Sequence, residues 1–408
     1  MTGFSRQIQS AIALEVDEAG AEKRCWLSRL KLERFRNYRV ADLAIASGQL
    51  VVLGENGAGK TNLLEAVSLL APGRGMRRAK GEQLAFATPA AMAGEVTDRR
   101  LDWAVAAVLE SKDGALDIGT GVPVDSAGGG RVMRLEGMTV SQAELGSRLA
   151  VSWLTPQMDG VFLDSPAARR RFLDRLVIAF DPAHIGRMSR YEKALRQRAH
   201  LLAEGRGDAA WYGALEAVLA ETAVAVTAAR QALIKALNAE AAQGWFGFPG
   251  VELVLSGAVE DWLVTMPALA VEDRIMAAAK TARLAGDAAM PGPHISEFQG
   301  VHLASGTMAN VASTGQQKAM LIAIILAHAR LQDRRLGRVP VMLFDDIAAH
   351  LDAMRRAALF EAVQTLGGQC WYSGTDEAQF SALRTSAQFV KILPAANASA
   401  TPTLEVIL

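Results

Sequence analysis

Cysteine is nearly missing from this 408-residue chain: only Cys25 and Cys370 occur, and neither sits in a C-x-x-C pair. That removes a disulfide scaffold and a cysteine-held zinc site, and it points to a reducing interior. Net charge is missing too, with 43 Lys and Arg against 43 Asp and Glu. No global field advertises nucleic acid, which leaves room only for a local patch. Aromatic residues are 6% of the chain, and no basic run is interleaved with them as a base-stacking surface requires. No apolar run approaches the roughly 18–20 residues that span a bilayer; the longest, Ala319–Ala327, is about half that. The first 25 residues carry acids and no sustained apolar stretch, so they read as a variable extension rather than a secretion signal. Apart from an alanine bias there is no low-complexity tract and no internal repeat. Half of the residues are hydrophobic, enough for a real core in two or three domains or in one large α/β domain with an insertion.

Against that background one segment stands out. Residues 54–61 read Gly54-Glu55-Asn56-Gly57-Ala58-Gly59-Lys60-Thr61 and follow the apolar run Leu50–Leu53. A buried strand, a glycine loop and a helix over Asn62–Leu70 are the context this phosphate-binding pattern needs. Glycines let backbone N–H groups crowd a phosphate chain. Lys60 supplies a point charge to the outer phosphates and Thr61 a hydroxyl for Mg²⁺. The helix that opens there, with Asn62 next in line, aims its positive end at the same anion. The pattern predicts a nucleoside triphosphate site.

Far downstream, Val341–Phe344 is a four-residue apolar strand that delivers Asp345 and Asp346 at its C-terminal end, where α/β proteins bind ligands. Asp345 is placed to hold Mg²⁺, and Asp346 to orient or deprotonate an attacking water. Some 30 residues earlier, Ser313-Thr314-Gly315-Gln316-Gln317-Lys318 opens the apolar helix Ala319–Ala329; a Ser and a Gly at a helix start form an anion site. Gln157, just past the strand Leu149–Leu154 and the Thr155-Pro156 turn, offers a neutral amide to Mg²⁺ and the γ-phosphate. Glycine loop, glutamine, serine-glycine helix and acidic strand occur in the order found in ABC-type ATPases. In that class the serine-glycine helix of one subunit completes the ATP site of another.

The rest of the chain divides by texture. Residues 1–26 are the extension, and 27–160 carry strand patterns, among them Trp103–Leu109 and Arg131–Leu135 with a glycine turn at 128–130. Ser141 caps a short helix. Residues 161–290 turn helical and rich in Ala, Leu and Arg, starting at the Ser165-Pro166 cap and broken at Pro182 and at Gly205-Arg206-Gly207. Asp208–Ala242 reads as one helix of roughly 50 Å. This region reads as a helical arm inserted in the α/β head, which resumes over 291–408. A strand is expected at Val251–Leu255, a helix near Val271–Leu284 and a strand near His294–Ala304.

The motif series resembles the RecF family, the DNA-repair branch of the SMC/Rad50-like ABC ATPases, from about residue 27 to the end. Its marks are Leu30-x-Leu32-x-x-Phe35-Arg36-Asn37-Tyr38, Gly54–Thr61 continuing as Asn62-Leu63-Leu64-Glu65-Ala66, Gly73-Arg74-Gly75-Met76-Arg77, and Pro156 with Asp159. Arg169-Arg170-Arg171-Phe172-Leu173-Asp174, Gly292-Pro293-His294, Ser313–Lys318 and Asp345-Asp346 complete them. The resemblance implies an α/β ATPase head of two lobes with an inserted helical arm, ATP and Mg²⁺ as ligands, and a second copy of the chain joined on ATP. It implies weak, DNA-stimulated ATP hydrolysis used as a switch, binding at gapped or single-strand/double-strand DNA junctions, and work with RecR and RecO to load recombinase in repair and at replication forks. A cytoplasmic, nucleoid-associated protein with no membrane partner is expected. The competing readings are the nucleotide subunit of a transporter and an SMC-like tether. Three departures stand out: Ala349-His350 replaces the family's Ser-Glu, Ile295-Ser296-Glu297 replaces Arg-Asp-Asp, and the switch residue falls on Thr375.

DNA contacts are expected from two clusters. Residues 165–200 hold nine basic side chains against three acids: Arg169, Arg170, Arg171, Arg175, Arg187, Arg190, Lys193, Arg196 and Arg198 against Asp174, Asp181 and Glu192. The second cluster is Arg74, Arg77, Arg78 and Lys80. Both suit phosphates, so backbone-directed and salt-dependent binding is expected.

Overall fold

A computed structural model describes residues 25–86, 101–124, 130–393 and 402–407. Most of the extension and part of the 128–130 turn lie outside the described residues.

The centre is a six-stranded sheet in the order β15-β14-β3-β13-β12-β8, formed by β3 (Gln49–Leu53), β8 (Val151–Leu154), β12 (Val341–Phe344), β13 (Cys370–Gly374), β14 (Gln388–Leu393) and β15 (Thr403–Val406). All pairs are parallel except β14 with β15. Alternate residues leave opposite faces of a strand, and the two faces enter different cores. Val51, Met342, Phe344, Cys370 and Tyr372 pack in one, with Leu50, Val52, Val341, Leu343 and Trp371 in the other. A strand buried on both faces reads as a continuous apolar run, which is why Leu50–Leu53 and Val341–Phe344 were legible.

One face is covered by α1 (Lys60–Leu69) and by an antiparallel sheet in the order β2-β1-β4-β5-β6-β7. Its strands are β1 (Trp26–Phe35), β2 (Tyr38–Ala44), β4 (Trp103–Ser111), β5 (Gly114–Val122), β6 (Val132–Leu135) and β7 (Met138–Val140). Two buried glutamines stitch the sheets together. Gln369 exchanges both amide hydrogen bonds with the backbone of Leu27, each 2.9 Å, and Gln388 bonds Ala46 N and Ala44 O. The other face is covered by α4 (Pro166–Ile178), α9 (Thr314–Leu336) and α10 (Ala353–Leu366).

Helix α6 (Ala209–Ala241, capped by Asp208) matches the expected long helix almost to the residue. Its C-terminal half, with Leu233, Ile234 and Leu237, belongs to the head core. Its N-terminal half packs Tyr212, Leu215, Leu219 and Ala223 against α5 (His184–Glu204), α7 (Ala258–Thr265) and α8 (Ala268–Leu284). The arm is thus a bundle rooted in the head. Helix α6 is also long and apolar enough to cross a membrane by length and composition, which the sequence pattern did not single out; more than half of its apolar window is buried inside the protein. A three-stranded sheet, β11 (Thr307–Met308), β10 (Glu297–His302) and β9 (Val251–Ser256), lies beside it. Strand β10 starts three residues later than expected because Gly292–Ser296 is spent on a polar junction. There Arg230 donates to Pro293 O (2.7 Å) and Arg170 to Ser296 O (2.8 Å).

Candidate functional site

The parallel strands β3, β12, β13 and β8 bring their C-terminal ends to one edge. That edge carries the 54–61 loop, Asp345 with Asp346, Thr375 and Gln157, as expected for ligand binding on such a sheet. The loop turns sharply at Gly57 (φ 83°) and Gly59 (φ 118°), a region that favours glycine. At Gly59 a Cβ would also lie 2.5 Å from Asn37 Nδ2 and 2.8 Å from Tyr38 Oη. Lys60 is 4% exposed, and its ammonium donates to Gly54 O (2.9 Å) and Glu55 O (3.1 Å), inside the curl of the loop.

The two halves of the motif series meet directly. Thr61 Oγ1 donates to Asp345 Oδ1 at 3.0 Å, and Ser373 Oγ donates to the same oxygen at 2.8 Å. Ser373 Oγ also accepts from Asp346 N at 2.9 Å, fixing Asp346 in a left-handed conformation (φ 49°) at the strand end. Burial pushes the Asp345 carboxyl up from its ordinary value, and the Asp346 charge adds to the rise. Hydrogen bonds from Ser373 and Thr61 and the Arg77 charge oppose it.

A hydroxyl and a carboxylate 3.0 Å apart fit a hard divalent cation. Among the described residues no group of three or more His, Cys, Asp or Glu side chains is gathered for a metal. This donor set therefore suits Mg²⁺, which takes one or two protein oxygens and completes its shell with water and phosphate. A cation would need this carboxylate in its ionised form, the form that burial disfavours.

A second layer fixes the loop, built from residues legible in sequence only as family marks without roles. The β1–β2 turn, with Arg36 at φ 54°, places Asn37 to donate to Ala58 O (3.0 Å) and Tyr38 Oη to donate to Gly59 O (3.1 Å). Asn62 bonds Asn37 (2.8 Å). Arg36 grips the fully buried Glu65 of α1 through two bonds of 2.8 and 2.7 Å. Sequence reading assigned no role to Ser373, Arg36, Asn37, Tyr38 or Glu65, whereas it did place Asn62 at the site. A polar pair beside a two-residue hairpin turn was the available signal.

Gln157 lies on the turn after β8, three residues past Leu154, whose carbonyl accepts from Asp345 N (3.0 Å). Its side chain is exposed. Ser313 N-caps α9 and forms a reciprocal capping box with Gln316. Ser313, Thr314 and Gly315 are exposed, and no hydrogen bond or ion pair among the described residues joins Ser313, Gly315 or Gln316 to the 54–61 loop. Arg355 of α10 stands beside them, 3.5 Å from where a Gly315 Cβ would be. Ala349 and His350 lie on an exposed turn next to the acidic strand.

The basic stripe expected over 165–200 does not form one continuous surface: Arg171, Arg190, Lys193 and Arg196 are exposed, but the other five cations are not. Arg169 is 8% exposed and faces Asp164 O, Phe162 O and Glu297 inside the protein. Arg175 stacks over Trp153 and Phe172, and burial pushes its guanidinium down to about 9. Arg198 is buried against Glu216 and two backbone carbonyls. Arg187, Arg190 and Arg196 pair with Asp181, Glu221 and Glu192. Arg170 is half-buried on Ser296 O. What replaces the stripe is a convergence. Arg74 and Arg78, exposed on the loop after α1, lie near exposed Arg171 on α4. Burial and the charges of Arg171 and Arg74 lower the Arg78 guanidinium from its ordinary value. Arg77 is exposed as well, but its guanidinium is engaged by Asn62 (2.8 Å) and Glu65 (3.7 Å).

Asp174, the last residue of the Arg-Arg-Arg-Phe-Leu-Asp mark, is a rivet. It accepts two bonds from Arg230 (2.8 and 2.9 Å) and meets His184 Nε2 at 2.9 Å. Burial opposes its charge, yet His184 and Arg230 hold the carboxyl below its ordinary value.

Comparison with known proteins agrees with this architecture. The family described as "RecF/RecN/SMC N terminal domain" matches residues 26–391. The protein named "DNA replication and repair protein RecF" of Mesorhizobium japonicum is 43% identical over 372 residues, covering 90% of this chain and 96% of that one. The protein of the same name from Agrobacterium fabrum gives the same identity and coverage. Among solved structures, the recombination mediator protein "RecF-ATPrS in RecFOR pathway" superposes with a TM-score of 0.78 at 20% identity, over 95% of this chain and all of that one. An Smc head domain with an extended coiled coil, bound to the C-terminal domain of ScpA and derived from Pyrococcus furiosus, gives 0.52 at 14% identity, over 94% of this chain and 96% of that one.

Proposed function

The chain belongs to the RecF family, and from that premise we propose that it is an ATP-dependent DNA-binding protein of recombinational repair and replication-fork maintenance. It binds ATP with Mg²⁺, dimerises on ATP and engages gapped or single-strand/double-strand DNA. In the pathway named for its relatives it works with RecR, and through it RecO, to load recombinase in the cytoplasm. The hydrogen bond between Thr61 and Asp345 carries the nucleotide part of the reading, because it joins both halves of the ATPase pattern at one point.

Each residue then has a task. Lys60 trades the carbonyls of Gly54 and Glu55 for the outer phosphate oxygens, while the loop amides between Gly54 and Lys60, with Asn62 behind them, line the phosphate chain. Thr61, Asp345 and the Gln157 amide would hold the cation. Bound there, Mg²⁺ neutralises charge on the transferred phosphoryl group. Asp346 orients the attacking water and accepts its proton. Asp346 is one carbon shorter than the glutamate found in many ABC ATPases, so turnover is slow. Ser313 and Gly315, both exposed, and the half-buried Gln316 face the nucleotide of a second copy. Arg74, Arg78 and Arg171 take DNA phosphates without sequence preference.

The test is ATP hydrolysis with and without gapped duplex, alongside DNA affinity with and without ATP. The reading expects DNA to stimulate hydrolysis and ATP to tighten DNA binding. DNA affinity indifferent to nucleotide contradicts it.

A further inference from the structure

One buried ion pair joins the glutamine turn to the helix that presents Ser313. Lys318, in the second turn of α9, reaches Asp159 Oδ2 at 2.5 Å. Asp159 stands two residues past Gln157, where the turn closes through Met158 N to Thr155 O (2.9 Å) and Asp159 N to Pro156 O (3.2 Å). The lysine side chain is 9% exposed and the carboxylate 21%. A pair this dry resists both screening and separation. The other carboxylate oxygen, Oδ1, is buried without a hydrogen-bond partner, so the grip rests on the single Lys318 contact. At the helix start, Gln317 Nε2 donates to Ala312 O (2.9 Å), tying the segment ahead of Ser313 to the same turn of α9.

We propose that the Asp159–Lys318 pair is a positioning strap: it fixes the Ser313–Gln316 end of α9 to the turn that bears Gln157, so that the surface offered to a second copy moves with that turn. No hydrogen bond or ion pair among the described residues joins the pair to the 54–61 loop, so it acts through the residues it holds. This rests on the reading above that ATP drives dimerisation through Ser313.

The test compares full-length wild type with Lys318→Met, Asp159→Asn and the charge-swapped double variant D159K/K318D. Three quantities are measured: ATP affinity at a concentration where the chain is monomeric, ATP-dependent dimerisation by sedimentation velocity, and the thermal midpoint. The strap predicts that each single variant binds ATP within about twofold of wild type and dimerises at least tenfold more weakly, and that the swapped double variant recovers much of the loss. Single variants that dimerise like wild type overturn it. So does dimerisation lost only in proportion to a lowered thermal midpoint with no rescue by the swap, since that is plain structural damage. Wild type that fails to dimerise on ATP overturns the underlying reading instead, and the two failures are thereby told apart.

Discussion

Two surfaces carry the chemistry of this protein, and they are built in opposite ways. The edge formed by the 54–61 loop and the acidic strand end is internally tied: Lys60, Thr61, Asp345, Ser373, Asn37 and Tyr38 all have partners inside the chain. The start of α9 is the reverse, with Ser313, Thr314 and Gly315 exposed and, among the described residues, the Ser313 hydroxyl bonded only within its own capping box. The first can bind a phosphate chain by itself. The second is a helix N-terminus, which favours an anion, and among the described residues no hydrogen bond or ion pair joins it to the 54–61 loop. Such an asymmetry is what a site shared between two copies requires, because each copy must keep one half closed and offer the other.

The largest effect should come from the closed half. Lys60→Ala removes the charge inside the loop and should lower ATP hydrolysis by about 10²-fold or more, read as phosphate release at saturating ATP. Next is the frame that orients the helices between the halves. Asp174→Ala leaves the Arg230 guanidinium buried and unpaired, and should cost about 3–5 kcal/mol of stability in denaturant unfolding. Because the folded carboxyl lies below its ordinary value, its contribution is complete above about pH 4 and disappears as pH falls through the lower folded value. Asp174→Asn should therefore flatten the acid limb of the stability curve. Ser313→Arg acts on the offered half alone. It should leave ATP affinity of the single chain within about threefold and weaken ATP-dependent dimerisation more than about tenfold; a fall in both together would erase the distinction. Smallest is the convergent arginine patch: replacing Arg74, Arg78 and Arg171 by Gln should reduce the salt slope of DNA binding by about 1 per lost phosphate contact. Arg169→Gln, inside the protein, should lower stability and leave the slope unchanged.

What could be read from the residues was local. The glycine loop, the acidic strand and the Ser165 cap of α4 announce themselves within a few positions, because strand burial, turn geometry and capping are short-range physics. The arginines show the opposite. Arg171 and Arg175 look alike in sequence, yet one is exposed beside Arg78 and the other lies under Trp153. The partners that decide this are distant along the chain: Arg230 for Asp174, Glu216 for Arg198, Glu297 for Arg169. Counting charges over 165–200 therefore located cations without their partners, and folding leaves only Arg171, Arg190, Lys193 and Arg196 of them exposed. Likewise Ser373 and Asn37 needed the sheet order before their bonds to Asp345 and Ala58 had meaning.

The shared site is tested most directly by mixing two damaged chains. Asp346→Asn keeps the offered half and loses the water-orienting carboxylate, while Ser313→Arg keeps the closed half and loses the offered one. Each alone should hydrolyse ATP far below wild type. Mixed in equal amounts they should recover hydrolysis that neither shows alone, since the loop of the Ser313→Arg chain meets an intact Ser313 from its partner. A mixture no more active than the sum of its parts contradicts a site built from two copies.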